Sequence, residues 1–138
     1  MRVLPFSPGH VRSMQLQERQ AYALSVLPPE YLDSLGLVGP SASAEVGGRI
    51  IACAGIATWV GMGTLWAFVA HDAGPHFVRL DRYVRRLLNL VPLRRIEAST
   101  EVDFSQGCRW LELLDFQSEG ILRKYGPNGE DHMRYARV

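Results

Sequence analysis

The stretch Trp110-Leu111-Glu112-Leu113-Leu114-Asp115-Phe116-Gln117-Ser118-Glu119-Gly120-Ile121-Leu122-Arg123-Lys124-Tyr125 decides the fold. It opens with four apolar residues around one glutamate, the end of a helix. That helix runs to about Leu114. Phe116 to Arg123 then has the composition of a strand. A turn follows between Gly126 and Gly129, and Asp131 to Val138 forms a final strand.

Upstream, Asp103 is placed to cap the helix that ends at Leu114, with Gln106 three residues on in a capping-box arrangement. Arg94 to Glu101 is a strand with Ile96, Ala98 and Thr100 on one face. Gly74-Pro75 opens the clearest helix in the chain, 75–91, which Pro92 ends. Its apolar residues Phe77, Leu80, Val84, Leu87 and Val91 recur at spacings of three and four, and Arg79, Asp81, Arg82, Arg85 and Arg86 form the opposite face.

Ile50 to Ala70 is 21 residues without a charge, the length of a membrane span. Gly61-Met62-Gly63 interrupts it with a turn signal. Ile50, Ile51, Ile56, Thr58, Trp59 and Val60 favour a strand before the turn, and Trp66, Phe68 and Val69 favour one after it. A buried hairpin is the expectation, with a membrane helix as the alternative. Ala44 to Val46 is a short strand before the Gly47-Gly48 turn, and Arg49 to Thr58 and Thr64 to Ala70 are the long strands. The step from strand 64–70 through helix 75–91 to strand 94–101 is a crossover that makes those two strands parallel.

The first 43 residues read as a helical part. Val3 to Phe6 forms a short strand, and Ser7-Pro8 starts a helix over 8–26 with Val11, Met14, Tyr22 and Val26 turned inward. A short helix covers Pro29 to Leu35, and Leu37 to Ala42 is a loop. The 138 residues suit one domain, 1–138, with its sheet half in 44–138. The expected architecture is α/β: a mixed, mostly antiparallel sheet of six or seven strands with one splayed parallel pair, flanked by about four helices.

Net charge is +1, so no overall field recruits nucleic acid. Cys53 and Cys108 offer neither metal spacing nor a disulfide framework, and no secretory signal opens the chain. A soluble cytoplasmic protein without a metal is the expectation.

The segment Leu111–Tyr125 resembles the closing segment of the GNAT-type N-acetyltransferases, whose ribosomal-protein-modifying branch reads roughly L-L-E-K-L-G-F-x-x-E-G-V-L-R-x-Y. Gly47 to Ile56 resembles that family's hairpin before its cofactor strand. The likeness covers about 95 residues, from Ala44 onward. It implies an acetyl-CoA-dependent N-acetyltransferase scaffold, with an amine as the acceptor. It also implies that the pantetheine arm pairs with main-chain groups of Phe68, Val69 and Ala70, and that the pyrophosphate sits near Gly74 and His76 at the start of the next helix. The family's glycine-rich pyrophosphate loop is shortened here to Ala70-His71-Asp72-Ala73-Gly74-Pro75-His76, with one glycine, a proline that has no N–H and an acidic Asp72. The family asparagine before the last helix falls on Phe104, the tyrosine that many members use as general acid falls on Leu111, and the family glycine before phenylalanine is Asp115 here, a residue that tolerates a left-handed helix cap better than most.

The chain is also similar along its length to short phage-encoded proteins, through Ala52–Gly55, Asp72–His76, Arg85-Arg86, Arg94–Ala98 and Glu119–Arg123. That resemblance implies a phage or prophage origin and location in the host cytoplasm or the virion. It gives the alternative function, a non-catalytic virion, assembly or host-interaction protein whose partners are phage structural or host proteins.

Three residues are candidates for the proton acceptor in acyl transfer. His71 follows the cofactor strand, and histidine titrates near neutrality. Glu97 and Glu101 lie on the second splayed strand, where partial burial would make a carboxylate basic. Trp59 and Trp66 either line an acceptor pocket or pack in the core. Cys108 reads as a buried helix cysteine, and the arginine face of helix 75–91 as solvated.

Overall fold

The computed structural model describes residues 1–138. Seven strands form one sheet: β1 (Arg2–Pro5), β2 (Ser41–Val46), β3 (Arg49–Trp59), β4 (Met62–Val69), β5 (Arg95–Glu101), β6 (Gln117–Leu122) and β7 (His132–Arg137). Their spatial order is β1-β2-β3-β4-β5-β7-β6, and only the β4–β5 pair is parallel. The helices are α1 (Pro8–Ser13), α2 (Glu18–Val26), α3 (Glu30–Leu35), α4 (Phe77–Leu90) and α5 (Ser105–Leu113). This is the mixed α/β architecture expected from the sequence.

Alternation along the strands divides the core into two layers. Ile56, Ile96 and Ala98 meet Val84 and Leu88 of α4 and Leu111 of α5. Cys53, Trp66 and Phe68 face the other way and meet Val11 of α1 with Leu32 and Leu35 of α3. The uncharged run 50–70 is accounted for by β3 and β4, the two central strands, and no helix is long and apolar enough to cross a membrane.

The end of α5 follows the decisive stretch closely. Asp115 adopts φ 69°. Its N–H donates to Glu112 O and the Phe116 N–H donates to Leu111 O. That bonding pair satisfies the last helical carbonyls with aspartate in the place usually held by glycine. The helix start differs from expectation. Residue Phe104, not Asp103, precedes the first turn, and no side chain caps it. Asp103 is drawn instead to Arg19, 2.8 Å away, because a guanidinium is a stronger partner for a carboxylate than a neutral N–H.

Three further expectations are corrected. The helix over 8–26 is two helices: residues 14–17 leave it, and Leu16 forms a bridge with Ala70 beyond the end of β4. Tyr22 and Val26 are consequently exposed, while Val11 is buried. The loop over 37–42 ends early, since Ser41 and Ala42 belong to β2, paired with Gly55 and Ala54. The β3–β4 turn is centred on Val60-Gly61, with φ 37° and 77°, and Met62 and Gly63 already lie in β4. Two consecutive positive φ values match the strand twist of a two-residue hairpin.

Candidate functional site

β4 and β5 pair only through Met62–Thr64 and Arg95–Glu97. Beyond these residues the strands part, and a cavity of about 590 Å³ fills the gap. Its apolar wall comes from Leu65 and Ala67 of β4, Ala98 of β5, Leu80 and Val84 of α4, and Leu111 of α5. Polar groups gather at its ends: Gln17, Gln20 and His71 on one side, Ser99 and Thr100 on the β5 side, and Gln106 and Arg109 on α5. An apolar channel of this size with a few convergent polar groups suits an extended organic ligand.

Where β5 leaves, the free edge of β4 is taken by the segment between α1 and α2 together with the first turn of α2. The Gln20 Nε2 donates to Ala67 O at 2.9 Å, and its Oε1 accepts from the Val69 N–H at 2.8 Å. The Gln17 N–H donates to Val69 O at 3.4 Å, and the His71 N–H donates to Gln15 O at 3.0 Å. The neighbouring Arg19 reaches the opposite wall. It pairs with Glu101 at the end of β5 and with Asp103, and its guanidinium lies 5.1 Å from the centre of the Phe104 ring. That guanidinium holds the Asp103 carboxyl below the usual carboxylate range.

The loop from β4 to α4 contains one turn of 3₁₀ helix at Gly74–His76. The Ala73 N–H donates to Ala70 O, the His76 N–H to Ala73 O, and the Phe77 N–H to Gly74 O. Pro75 has no N–H. Open space surrounds Gly74, where an added Cβ would touch nothing, and its N–H has no main-chain partner. Asp72 turns to Arg49 of β3 at 2.7 Å. The hydrogen bond from Arg49 holds its carboxyl below the usual range.

The candidate residues separate into groups. Val69, Ala70, His71 and Gly74 line the cavity, whereas Phe68 points into the opposite core layer and His76 lies off the lining. The His71 Nδ1 lies 3.2 Å from Gln15 O. A carbonyl only accepts, so Nδ1 carries the proton of the neutral ring and Nε2 keeps its lone pair. Glu97 lies outside the lining, between Arg95 at 2.9 Å and Arg134 at 2.7 Å. Glu101 is also outside the lining and paired with Arg19. The structure therefore does not bring the three proton-acceptor candidates together.

Trp66 is buried against Phe6, with ring centroids 5.0 Å apart, and Trp59 is at the exposed hairpin end. Cys108 Sγ contacts Glu101 O. On the arginine face of α4, Arg85 is tied to Asp81, Asp115 and Leu113 O, while Arg79, Arg82 and Arg86 form no ion pair. Sequence reasoning missed Arg19 and Gln20, whose partners lie 47 to 84 positions away. It also missed a cluster in which Glu101, Glu130 and His132 bring ligand-type atoms within 4.8 Å of one another. There the Arg19 guanidinium already answers the Glu101 charge.

No protein-family model and no curated protein sequence matches the chain. Solved structures do. A ribosomal-protein-alanine N-acetyltransferase from Brucella melitensis superposes with TM-score 0.74 at 13% identity, over 100% of this chain and 99% of that one. Ard1 from Thermoplasma volcanium gives TM-score 0.80 at 12% identity, over 99% and 96%. An acetyltransferase of the GNAT family from Streptococcus pneumoniae gives 0.68 at 12% identity, over 99% and 98%. The chain has the GNAT acetyltransferase fold.

Proposed function

We propose that the chain binds an acyl-CoA in the cleft between β4 and β5 and transfers the acyl group to an amine. The observation that carries this is the open cavity of about 590 Å³ at the point where the parallel pair parts. The residues fit the pantetheine arm: its gem-dimethyl and methylene groups suit Leu65, Ala67, Ala98 and Leu111, and its amides suit the Ala67 and Val69 main chain. At the pyrophosphate end the chain offers the Gly74 N–H and leaves Asp72 neutralised by Arg49. When bound, the thioester supplies the activated acyl carbon.

The chain's own part in the chemistry is orientation. His71 is the one proton-acceptor candidate in the cavity wall. With the amides on Ala67 and Val69 and the pyrophosphate at Gly74, it stands at the phosphate end of the arm, beyond hydrogen-bond reach of the thioester. It therefore serves cofactor binding, and the acceptor amine gives its proton to water. Glu97, flanked by two guanidiniums, serves as a structural anchor. Protein N-termini are the acceptor class to try first, because the Brucella structure modifies a ribosomal-protein alanine.

A second function has its own support. The contracted loop and the occupied β4 edge suit a GNAT-fold protein that acts by contact, as a phage virion, assembly or host-interaction protein. The sequence likeness to phage-encoded chains favours that origin. Thiol release from acetyl-CoA in the presence of peptides with free N-termini separates the two. The enzyme releases thiol, and His71→Ala changes the KM for acetyl-CoA more than kcat. No release with any peptide or polyamine rejects the transferase.

A further inference from the structure

We propose that α2 is a strap across the cleft, and that Gln20 occupies the seat of a ligand amide on β4 until the ligand displaces it. This inference rests on the acyl-CoA function above and adds its regulation. The carboxamide of Gln20 has the same donor and acceptor as a peptide unit. It meets Ala67 O at 2.9 Å and the Val69 N–H at 2.8 Å, the two groups that a neighbouring strand or an amide-bearing ligand would use. The next residue back, Arg19, fastens the same helical turn to Glu101 and Asp103 on the far wall. Two consecutive residues thus hold both sides of the gap.

The strap is attached in a way that lets it release. α2 buries no residue completely, and its apolar hold on the core is slight: half-buried Leu24 packs against the layer that contains Val11, Leu32 and Trp66. Its other bonds are the side-chain hydrogen bonds of Gln20, the exposed ion pairs of Arg19 and one long main-chain bond, from the Gln17 N–H to Val69 O at 3.4 Å, each of small net worth because water replaces them. Elements with few buried contacts open locally at low cost. A ligand amide that takes over the β4 groups restores what Gln20 gives up, so the exchange is nearly balanced at the seat. The affinity of the free cleft is reduced by the fraction of molecules in which the strap is closed.

The test compares the full chain with Gln20→Ala and Gln20→Glu by calorimetric titration with acetyl-CoA, together with hydrogen exchange at the Val69 amide. The second variant keeps the helix and the size of the side chain but cannot donate to Ala67 O, so it serves if the first folds poorly. The strap predicts binding at least fivefold tighter in the variants. It predicts faster Val69 exchange in free Gln20→Ala, slowed again by acetyl-CoA. Equal affinity in all three proteins overturns the strap and leaves the acyl-CoA function standing. Weaker binding by the variants also overturns it, since Gln20 would then be part of the ligand site. Unchanged Val69 exchange in Gln20→Ala overturns it as well. No heat from any of the three, up to millimolar ligand, overturns the strap and the acyl-CoA function together.

Discussion

Arg134 of β7 donates to Glu97 of β5 at 2.7 Å, diagonally across two adjacent antiparallel strands. Arg95 holds the other carboxylate oxygen and also pairs with Glu119 of β6, so one network ties three strands together on the face opposite Ile96 and Ala98. With Arg95 on one oxygen and Arg134 on the other, the Glu97 carboxylate is fully engaged as a clamp between strands. Glu97→Gln should therefore cost about 1–2 kcal/mol of stability and change thiol release by less than threefold at a temperature where both proteins are folded. Denaturant titration and the thiol assay measure the two effects. A loss of two orders of magnitude in rate with stability unchanged would make Glu97 the base.

The buried thiol of Cys53 sets an alkaline limit. Burial pushes it up to about 11 from its ordinary 9.0, while a hydrogen bond with Ser43 works in the opposite direction. Because the folded chain keeps its proton longer than the unfolded chain, the resulting stability is complete below pH 9 and is lost as pH rises toward 11. The shift corresponds to about 2–3 kcal/mol. Thermal melting of the wild type should fall across that window, and Cys53→Ala should flatten this part of the fall. Tyr135, also raised by burial, adds loss of the same sign at higher pH in both proteins. An identical slope in the two would assign the alkaline loss elsewhere.

Val60 is a branched residue at φ 37° in the β3–β4 turn, 87% exposed. Its carbonyl accepts from Arg94 Nη1 at 2.7 Å, and the Arg94 N–H donates to Gly61 O, which fixes the turn from the β5 side. The side chain contributes no packing to offset its left-handed backbone. Val60→Asn or Val60→Gly should raise stability by about 1 kcal/mol, seen as a higher denaturation midpoint with unchanged slope. A lower midpoint would show that the valine packs on a partner.

The parts of the fold legible in the sequence are those written in local pattern. Helix 75–91 shows in the spacing from Phe77 to Val91. The stop at Asp115 shows through the likeness of Leu111–Tyr125 to the family's closing segment, and the two central strands show in a run without charge. What was illegible depends on distant partners. Nothing in residues 8–26 marks the break at 14–17, because its cause is the edge of β4, which offers Ala70 as a bridge and His71 as a donor. Asp103 has a suitable cap spacing, yet Arg19 outcompetes the N–H groups. Ser41 and Ala42 look like loop because they are small and polar or weakly apolar, and they become strand through pairing with β3. For the site, the cavity follows from the parallel pair, whereas its strap is a relation between Gln20 and Ala67 that no periodicity encodes.

Acetyl-CoA binding tests the central claim most directly. Calorimetric titration of the wild type should give a 1:1 complex with micromolar to submillimolar affinity. Ser99→Trp, which places a large ring at an exposed point of the cavity wall, should weaken it at least tenfold without changing the melting temperature. Absence of binding up to millimolar acetyl-CoA, or full binding by Ser99→Trp, would contradict the assignment of the cleft between β4 and β5 as the acyl-CoA site.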